Sequence, residues 1–149
     1  SPPPELHVFP FYPSVPRPLV VHAMSLEALE LQAGQRILDI GCGSGIVSAL
    51  AALLVGCSGS VVGIDVLPDA VHLSESNLAR LTADSKAFAA ASASCTFHQH
   101  NAFLPLANTF DRIYVGAACP EHRVAALAKL LSPDGKMIVP VGSELRLVS

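Results

Sequence analysis

Three glycines in five positions, Gly41, Gly43 and Gly45, stand directly behind an apolar run, Arg36-Ile37-Leu38-Asp39-Ile40. Glycine has no Cβ, so such a stretch can turn tightly and let a ligand approach the backbone. A second apolar run, Val61-Val62-Gly63-Ile64, ends in Asp65, twenty residues beyond Gly45. A carboxylate in that place can accept two hydrogen bonds at once and suits the paired hydroxyls of a ribose. Asp39 lies inside the first run, where a buried carboxylate must be hydrogen-bonded or paired. It holds the glycine turn or the charged amino-acid end of a ligand, or it is a structural carboxylate that caps backbone N–H groups. Asn101 follows a third run, Cys95 to His100, and offers either an acceptor for an adenine amino group or an ordinary turn.

The elements that must position these residues follow from periodicity. Apolar residues recur at helical spacing from Leu19 to Leu31, and Gly34 is a natural stop. Arg36 to Ile40 reads as a short buried strand, Ile46 to Leu54 as a helix ending around Gly56, and Val61 to Asp65 as a second strand. Pro68 to Leu81 reads as a helix with proline in its first turn. Thr82 to Ser94 is rich in Ala and Ser and reads equally as a short helix or as a loose connection. Cys95 to His100, Phe110 to Val115 and Lys136 to Val141 are the remaining strands, with a helix from Pro120 to Leu131 stopped by the turn signature Ser132-Pro133-Asp134-Gly135. Strand and helix alternate, which predicts a doubly wound α/β fold with a mainly parallel sheet and helices on both faces. In such sheets ligands bind beyond the carboxyl ends of the strands, where the glycine turn lies, and the helix behind it presents free N–H groups.

The glycine spacing then selects among adenosine-bearing ligands. The dinucleotide fingerprint GxGxxG needs its third glycine five residues after the first. Here the pattern is GxGxG, in Gly41-Cys42-Gly43-Ser44-Gly45, and position 46 is Ile. A pyrophosphate site is disfavoured, and the spacing with Asp65 points to S-adenosylmethionine.

Composition sets outer bounds. The 149 residues suit one domain, and a content of 51% hydrophobic and 14% charged residues is that of a globular chain. A net charge of -3 without a Lys/Arg run gives no support to nucleic acid as a partner. The most apolar stretch, Ile46 to Val55, is shorter than the roughly 20 residues a membrane-spanning helix needs. Cys42, Cys57, Cys95 and Cys119 form no CxxC pair, and His98 and His100 lack a third ligand at metal-site spacing, so no metal is expected. Unpaired thiols and the absence of a signal-peptide pattern predict a cytoplasmic protein, without a membrane partner. Seven of the twelve prolines fall in the first eighteen residues, so residues 1–18 read as an extended arm, fastened by Phe9, Phe11 and Tyr12, ahead of a domain at 19–149.

Taken together, the stretches Ile37 to Ile46, Val55 to Asp65, Phe110 to Pro120 and Leu131 to Gly142 resemble the protein-L-isoaspartate (D-aspartate) O-methyltransferases, a family of class I S-adenosylmethionine-dependent enzymes. The most specific of these are Val115-Gly116-Ala117-Ala118-Cys119-Pro120 and Ile138-Val139-Pro140-Val141-Gly142. The resemblance covers residues 15 to 142. It implies methyl transfer from S-adenosylmethionine to the carboxylate of an L-isoaspartyl residue in a damaged protein, with S-adenosylhomocysteine as product, carried out by a monomer. It further implies that Asp65 with Val66 meets the ribose, Asn101 and Ala102 the adenine edge, and Asp39, Gly41, Cys42, Gly43, Ser44 and Gly45 the methionine part. Gly116 and Ala117, with Ala118, would border the methyl donor.

Departures from the family pattern bear on the substrate. The family carries Ile-Ser-x-Pro followed by His or Tyr before the first helix. One register lays Val15 to Leu19 on that motif, so that Pro16 replaces the Ser and Leu19 the aromatic residue. A shifted register uses Ser14-Val15-Pro16, keeps Ser14 as the catalytic hydroxyl and sets Arg17 behind it, where a guanidinium could bind a carboxylate bidentately. Asn101 stands where the family usually has Asp. The family also continues with further strands, of which Leu145 to Val148 reads as the beginning. A methyltransferase-like binding module without repair activity and a methyltransferase for another substrate are the alternatives; a nicotinamide enzyme is disfavoured by Ile46.

Overall fold

A computed structural model describes residues 7–10 and 19–149, with side chains from residue 22 onward. In chain order the elements are β1 (His7–Pro10), α1 (Leu19–Leu29), β2 (Arg36–Ile40), α2 (Ile46–Val55), β3 (Ser60–Asp65), α3 (Pro68–Asp84), α4 (Lys86–Ala91) and β4 (Ser94–Gln99). They are followed by β5 (Phe110–Val115), a 3-10 turn (Glu121–Arg123), α5 (Val124–Ala128), β6 (Leu131–Val141) and β7 (Glu144–Val148). Among the described residues, seven strands form one sheet in the order β1-β7-β6-β5-β2-β3-β4. The five strands from β6 to β4 run parallel, and β7 and β1 add antiparallel at one edge. The expected α/β fold is therefore the observed one.

The central strands are mostly apolar because both of their faces are covered, with Asp39 and Arg112 as buried charged exceptions. Side chains alternate between faces along a strand. Leu38, Ile113, Met137 and Val139 point to one face, where α5 brings Leu127 and the β4–β5 connection brings Ala102 and Leu106. Tyr114 and Ile138 point to the other, against Leu26 and Leu29 of α1 and Val47 of α2. Ile37 and Val61 meet Ala51, Ala52 and Val55 of α2 on that second face. Gly63 in β3 has no room for a side chain, because a Cβ there would lie 2.5 Å from Cδ1 of Phe97 on the neighbouring strand.

Several boundaries differ from those the periodicity predicts. α1 stops at Leu29, two residues short, because Glu30 takes a left-handed conformation (φ 51°) and turns the chain. Arg112, buried in β5, donates its Nε–H to the carbonyl of Leu29 and so satisfies an acceptor at that helix end. Gly34 serves instead in the turn ahead of β2, donating to Val55 O at 2.9 Å. α3 runs on to Asp84, and the Ala/Ser-rich stretch left open above supplies α4, whose Ser85 Oγ accepts from Phe88 N at 3.1 Å. The helix expected over 120–131 is a 3-10 turn followed by the short α5.

Ser132-Pro133-Asp134-Gly135 does turn, but inside β6. The pairing steps from Phe110↔Leu131 to Arg112↔Lys136, so these four residues loop out of the ladder, with Asp134 at φ 64°. Leu145 to Val148, expected to begin a further strand, lies in β7. Of the arm at 1–18, residues His7 to Pro10 pair with β7 as an edge strand, where a proline is tolerated. Phe11, Tyr12, Ser14, Pro16 and Arg17 lie outside the described residues.

Candidate functional site

β2 is where the winding reverses: β3 and β4 lie on one side of it, and β5 and β6 on the other. Beyond its carboxyl end the chain must leave between two diverging connections, and a crevice forms there. The glycine turn fills this position. Gly41, Gly43 and Gly45 have φ values of 77°, 54° and 85°, a region that favours glycine over residues with a Cβ. Gly41 N and Cys42 N both donate to Ile64 O, at 2.8 and 3.0 Å, which hooks the turn onto the end of β3. Gly45 N then closes it onto Cys42 O at 2.8 Å, and α2 starts at the next residue.

The turn after β5 meets the glycine turn directly. Gly116 N donates to Ile40 O at 2.6 Å, and a Cβ on Gly116 would come within 2.8 Å of Gly41 O. Ala117 is next to this contact, since a Cβ on Gly41 would lie 3.6 Å from its amide nitrogen. The two turns that the sequence singles out thus abut at the switch point, and Ala117 and Ala118 behind them are exposed.

Two carboxylates attend the turn. Asp65, half-buried at the end of β3, accepts from Gly43 N at 3.2 Å through one oxygen and from Leu67 N at 3.0 Å through the other. Each oxygen keeps a second lone pair. Asp39 is buried, at 1% exposure, and accepts from Ser48 Oγ of α2 at 2.6 Å. Its other oxygen, Oδ1, is buried with no hydrogen-bond partner. Burial pushes the Asp39 carboxyl up to about 6, against the opposing pull of the Ser48 hydrogen bonds and with a further push from the Asp65 charge. Burial likewise raises the thiol of Cys42 in the turn itself, which packs with Val71 and Phe97.

Beyond β4, Asn101 forms an Asx turn: its Oδ1 accepts from Phe103 N at 2.9 Å, and its own carbonyl accepts from Leu104 N at 2.9 Å. The acceptor that the sequence offers to adenine is therefore also the one that shapes its loop. Ala102 packs into the core beneath it, and the guanidinium of Arg123 lies 4.3 Å from the centre of the Phe103 ring, tying this loop to the 3-10 turn. Val66 is exposed at the end of β3, and its carbonyl accepts from Gln99 Nε2 at 3.3 Å. His100 brings a buried Nε2 without a partner to the same strand end. Among the described residues, no three His, Cys, Asp or Glu side chains group as a metal site.

Three polar side chains at the site escape sequence reasoning. Ser48 holds Asp39. From α3, Ser74 Oγ donates to Gly43 O at 2.8 Å and Asn77 Nδ2 donates to Ser44 O at 2.9 Å. Nothing in the sequence marks them, because serines and asparagines inside a helix resemble surface residues until the turn beside them is located.

A parallel sheet with a glycine turn at its switch point, an acidic residue ending the next strand and no third glycine for a pyrophosphate is the Rossmann-like fold of class I methyltransferases. A family model for protein-L-isoaspartate(D-aspartate) O-methyltransferase matches residues 13–148, and the chain belongs to that family. It is 40% identical over 127 residues to a Triticum aestivum protein named protein-L-isoaspartate O-methyltransferase, covering 83% of this chain and 54% of the relative. An Arabidopsis thaliana protein-L-isoaspartate O-methyltransferase 1 is 34% identical over 125 residues, with the same coverage of 83% and 54%. The chain spans about half the length of the curated relatives it matches. Among solved structures, a Plasmodium falciparum chain assigned as a protein-L-isoaspartate O-methyltransferase, in complex with S-adenosyl-L-homocysteine, superposes with a TM-score of 0.71 at 26% identity. That superposition covers 89% of this chain and 66% of the other.

Proposed function

We propose that this chain carries the S-adenosylmethionine site of a protein-L-isoaspartate O-methyltransferase and methylates the side-chain carboxylate of L-isoaspartyl residues in damaged proteins. Its family membership over residues 13–148 supports the reaction and the substrate class. The observation that carries the cofactor is the pair of abutting turns at the switch point, with Asp65 on one side and the unpartnered Asp39 Oδ1 below.

The residues fit that group. The spare lone pairs of the Asp65 oxygens suit ribose hydroxyls, with Val66 beside them. The buried, unpartnered oxygen of Asp39 is an acceptor in wait for a donor, as the ammonium of an amino-acid end would be. Gly41, Cys42, Gly43, Ser44 and Gly45 would border that end, Asn101 and Ala102 the adenine edge, and Gly116 and Ala117 the donor group. When bound, S-adenosylmethionine supplies an electrophilic methyl group on a sulfonium. A carboxylate is already a nucleophile at neutral pH and needs no general base, so the protein has to position it and exclude water. This agrees with a site built from turns and two carboxylates, without a nucleophile–base pair. Ser14, the candidate hydroxyl toward the isoaspartyl group, remains part of this proposal. The four free thiols of the chain support a reducing compartment, the cytoplasm.

The test is calorimetric binding of S-adenosylmethionine, followed by transfer of a radiolabelled methyl group to an isoaspartyl peptide beside its aspartyl twin. Methylation of the isoaspartyl peptide alone is the expected result. Absence of cofactor binding would sink the whole reading, and binding without isoaspartyl-dependent transfer would leave a binding module or another substrate. Replacing Asp65 with Ala should weaken cofactor binding by about 1.5–3 kcal/mol, roughly ten- to hundredfold; an unchanged affinity would refute its ribose role.

A further inference from the structure

Ser74 and Asn77 stand three residues apart on α3 and so face the glycine turn from the same side of the helix. Ser74 is fully buried and donates to Gly43 O, and Asn77 donates to Ser44 O. The amide of Asn77 is itself oriented: its Oδ1 accepts from the Arg80 guanidinium at 2.7 Å, which leaves the NH2 end for the turn. A peptide unit is planar and trans, so fixing a carbonyl sends the next N–H in the opposite direction. With the carbonyls of Gly43 and Ser44 drawn toward α3, the N–H groups of Ser44 and Gly45 must point away from it. Gly45 N closes the turn onto Cys42 O. The N–H of Ser44 is left facing outward and has no partner among the described residues.

Packing holds the Cys42 and Gly45 ends of the turn and leaves the exposed Ser44 peptide to the Asn77 hydrogen bond. The turn packs on α3 through Cys42, which clusters with Val71 and lies 3.5 Å from Ser74 Oγ, and through Gly45, where a Cβ would lie 3.1 Å from the Ser74 Cα. Beside that contact an open depression of about 250 Å³ separates α2 from α3, bordered by Ser44, Ile46, Ala49, Asn77 and Leu78. The peptide of Ser44 therefore borders empty space, and the Asn77 hydrogen bond fixes its plane.

We propose that Ser74 and Asn77 are positioning residues of the cofactor site, with Arg80 orienting Asn77. They hold the Gly43–Ser44–Gly45 peptides so that the Ser44 N–H is presented, before any ligand arrives, to the carboxylate of the amino-acid end of S-adenosylmethionine. A donor aimed in advance lowers the ordering cost of binding. The inference rests on the cofactor reading above and adds to it the residues that prepare the turn.

The experiment is calorimetric titration of S-adenosylhomocysteine into the wild-type chain and the Asn77→Ala, Asn77→Asp, Ser74→Ala and Arg80→Ala variants, each well below its own Tm. Amide hydrogen exchange at Gly45, whose N–H closes the turn onto Cys42 O, and steady-state kinetics accompany it. Asn77→Ala and Ser74→Ala should each weaken binding about two- to tenfold. Asn77→Asp should weaken it at least as much, since a carboxylate would face the Ser44 carbonyl, and Arg80→Ala less. Exchange at Gly45 should quicken in the Ser74 and Asn77 variants, while kcat at saturating cofactor and KM for the isoaspartyl peptide stay as in the wild type. Glu75→Ala, on the exposed face of the same helix, should change none of these. If the wild type does not bind, the cofactor reading falls and takes this inference with it. If it binds and the Asn77 variants bind equally well, the positioning role is overturned and the cofactor reading stands. A matching fall in kcat at saturating cofactor would make the role generally structural and overturn the proposal too.

Discussion

Asp39, in the proposed cofactor site, shows at the scale of one residue how such a site would oppose the stability of the fold. Its carboxyl sits in the apolar centre of β2, with one oxygen bonded to Ser48 and the other bonded to nothing. With the carboxyl raised to about 6 from an ordinary 3.8, the folded chain binds more protons than the unfolded one between about pH 4 and 6. Stability therefore falls as pH rises through that window, and the penalty is complete above it, at most about 3 kcal/mol. Asp39→Asn removes the charge and keeps the shape. The ligand-free variant should melt higher than the wild type at pH 7.5, and the two curves should converge below about pH 4, as thermal melts across pH would show. Its affinity for S-adenosylhomocysteine should drop in calorimetry, because a carboxylate oxygen is lost to the ligand. Asp39 and Asp65 are legible in the sequence because each interrupts or ends an apolar run beside a glycine. Ser48, Ser74 and Asn77 are not, because their partners lie 9, 31 and 33 residues away and only the fold brings them together.

Among the elements, those with a strong apolar period and clear ends read correctly: β2, β3 and β5 lie within a residue of expectation. Two of the misread boundaries share a cause, a local signal overridden by a tertiary contact. Glu30 rather than Gly34 ends α1, where Arg112 caps the last carbonyl and Lys136 pairs with Glu30 at 2.7 Å. The turn signature at 132–135 is real, yet the ladder with β5 resumes on both sides of it, with Ser132 Oγ bonded to Asp111 at 2.9 Å. β1 was hidden because prolines surround it and its partner is the far end of the chain. At this scale β3 and β4 make a sharp prediction. Gly63→Ala would drive a methyl group into the Phe97 ring and against Ser48 Oγ, and should destabilise the protein by about 1–3 kcal/mol in urea unfolding. Adding Phe97→Leu should recover part of that loss. If Gly63→Ala alone is neutral, the two strands are not packed as described.

For the molecule as a whole, stability should be graded from the centre of the sheet outward. Leu38, Ile113 and Met137 of β2, β5 and β6 are fully buried, whereas β4 at one edge carries exposed Thr96, His98 and Gln99. Hydrogen exchange should be slowest in β2, β5 and β6 and fast in β4; uniform protection would contradict this gradient. The opposite edge has a different consequence. His7 lies across from Leu147, so the first described strand and the last are antiparallel neighbours. Only a hairpin loop, about 2–5 residues long, would be needed to join residue 149 to residue 7. The protein could then be opened elsewhere, most simply among the exposed residues Ala107, Asn108 and Thr109 that link the two halves of the sheet. The order of the elements along the chain would be rotated, and their arrangement in space, with the two abutting turns at its centre, would be preserved.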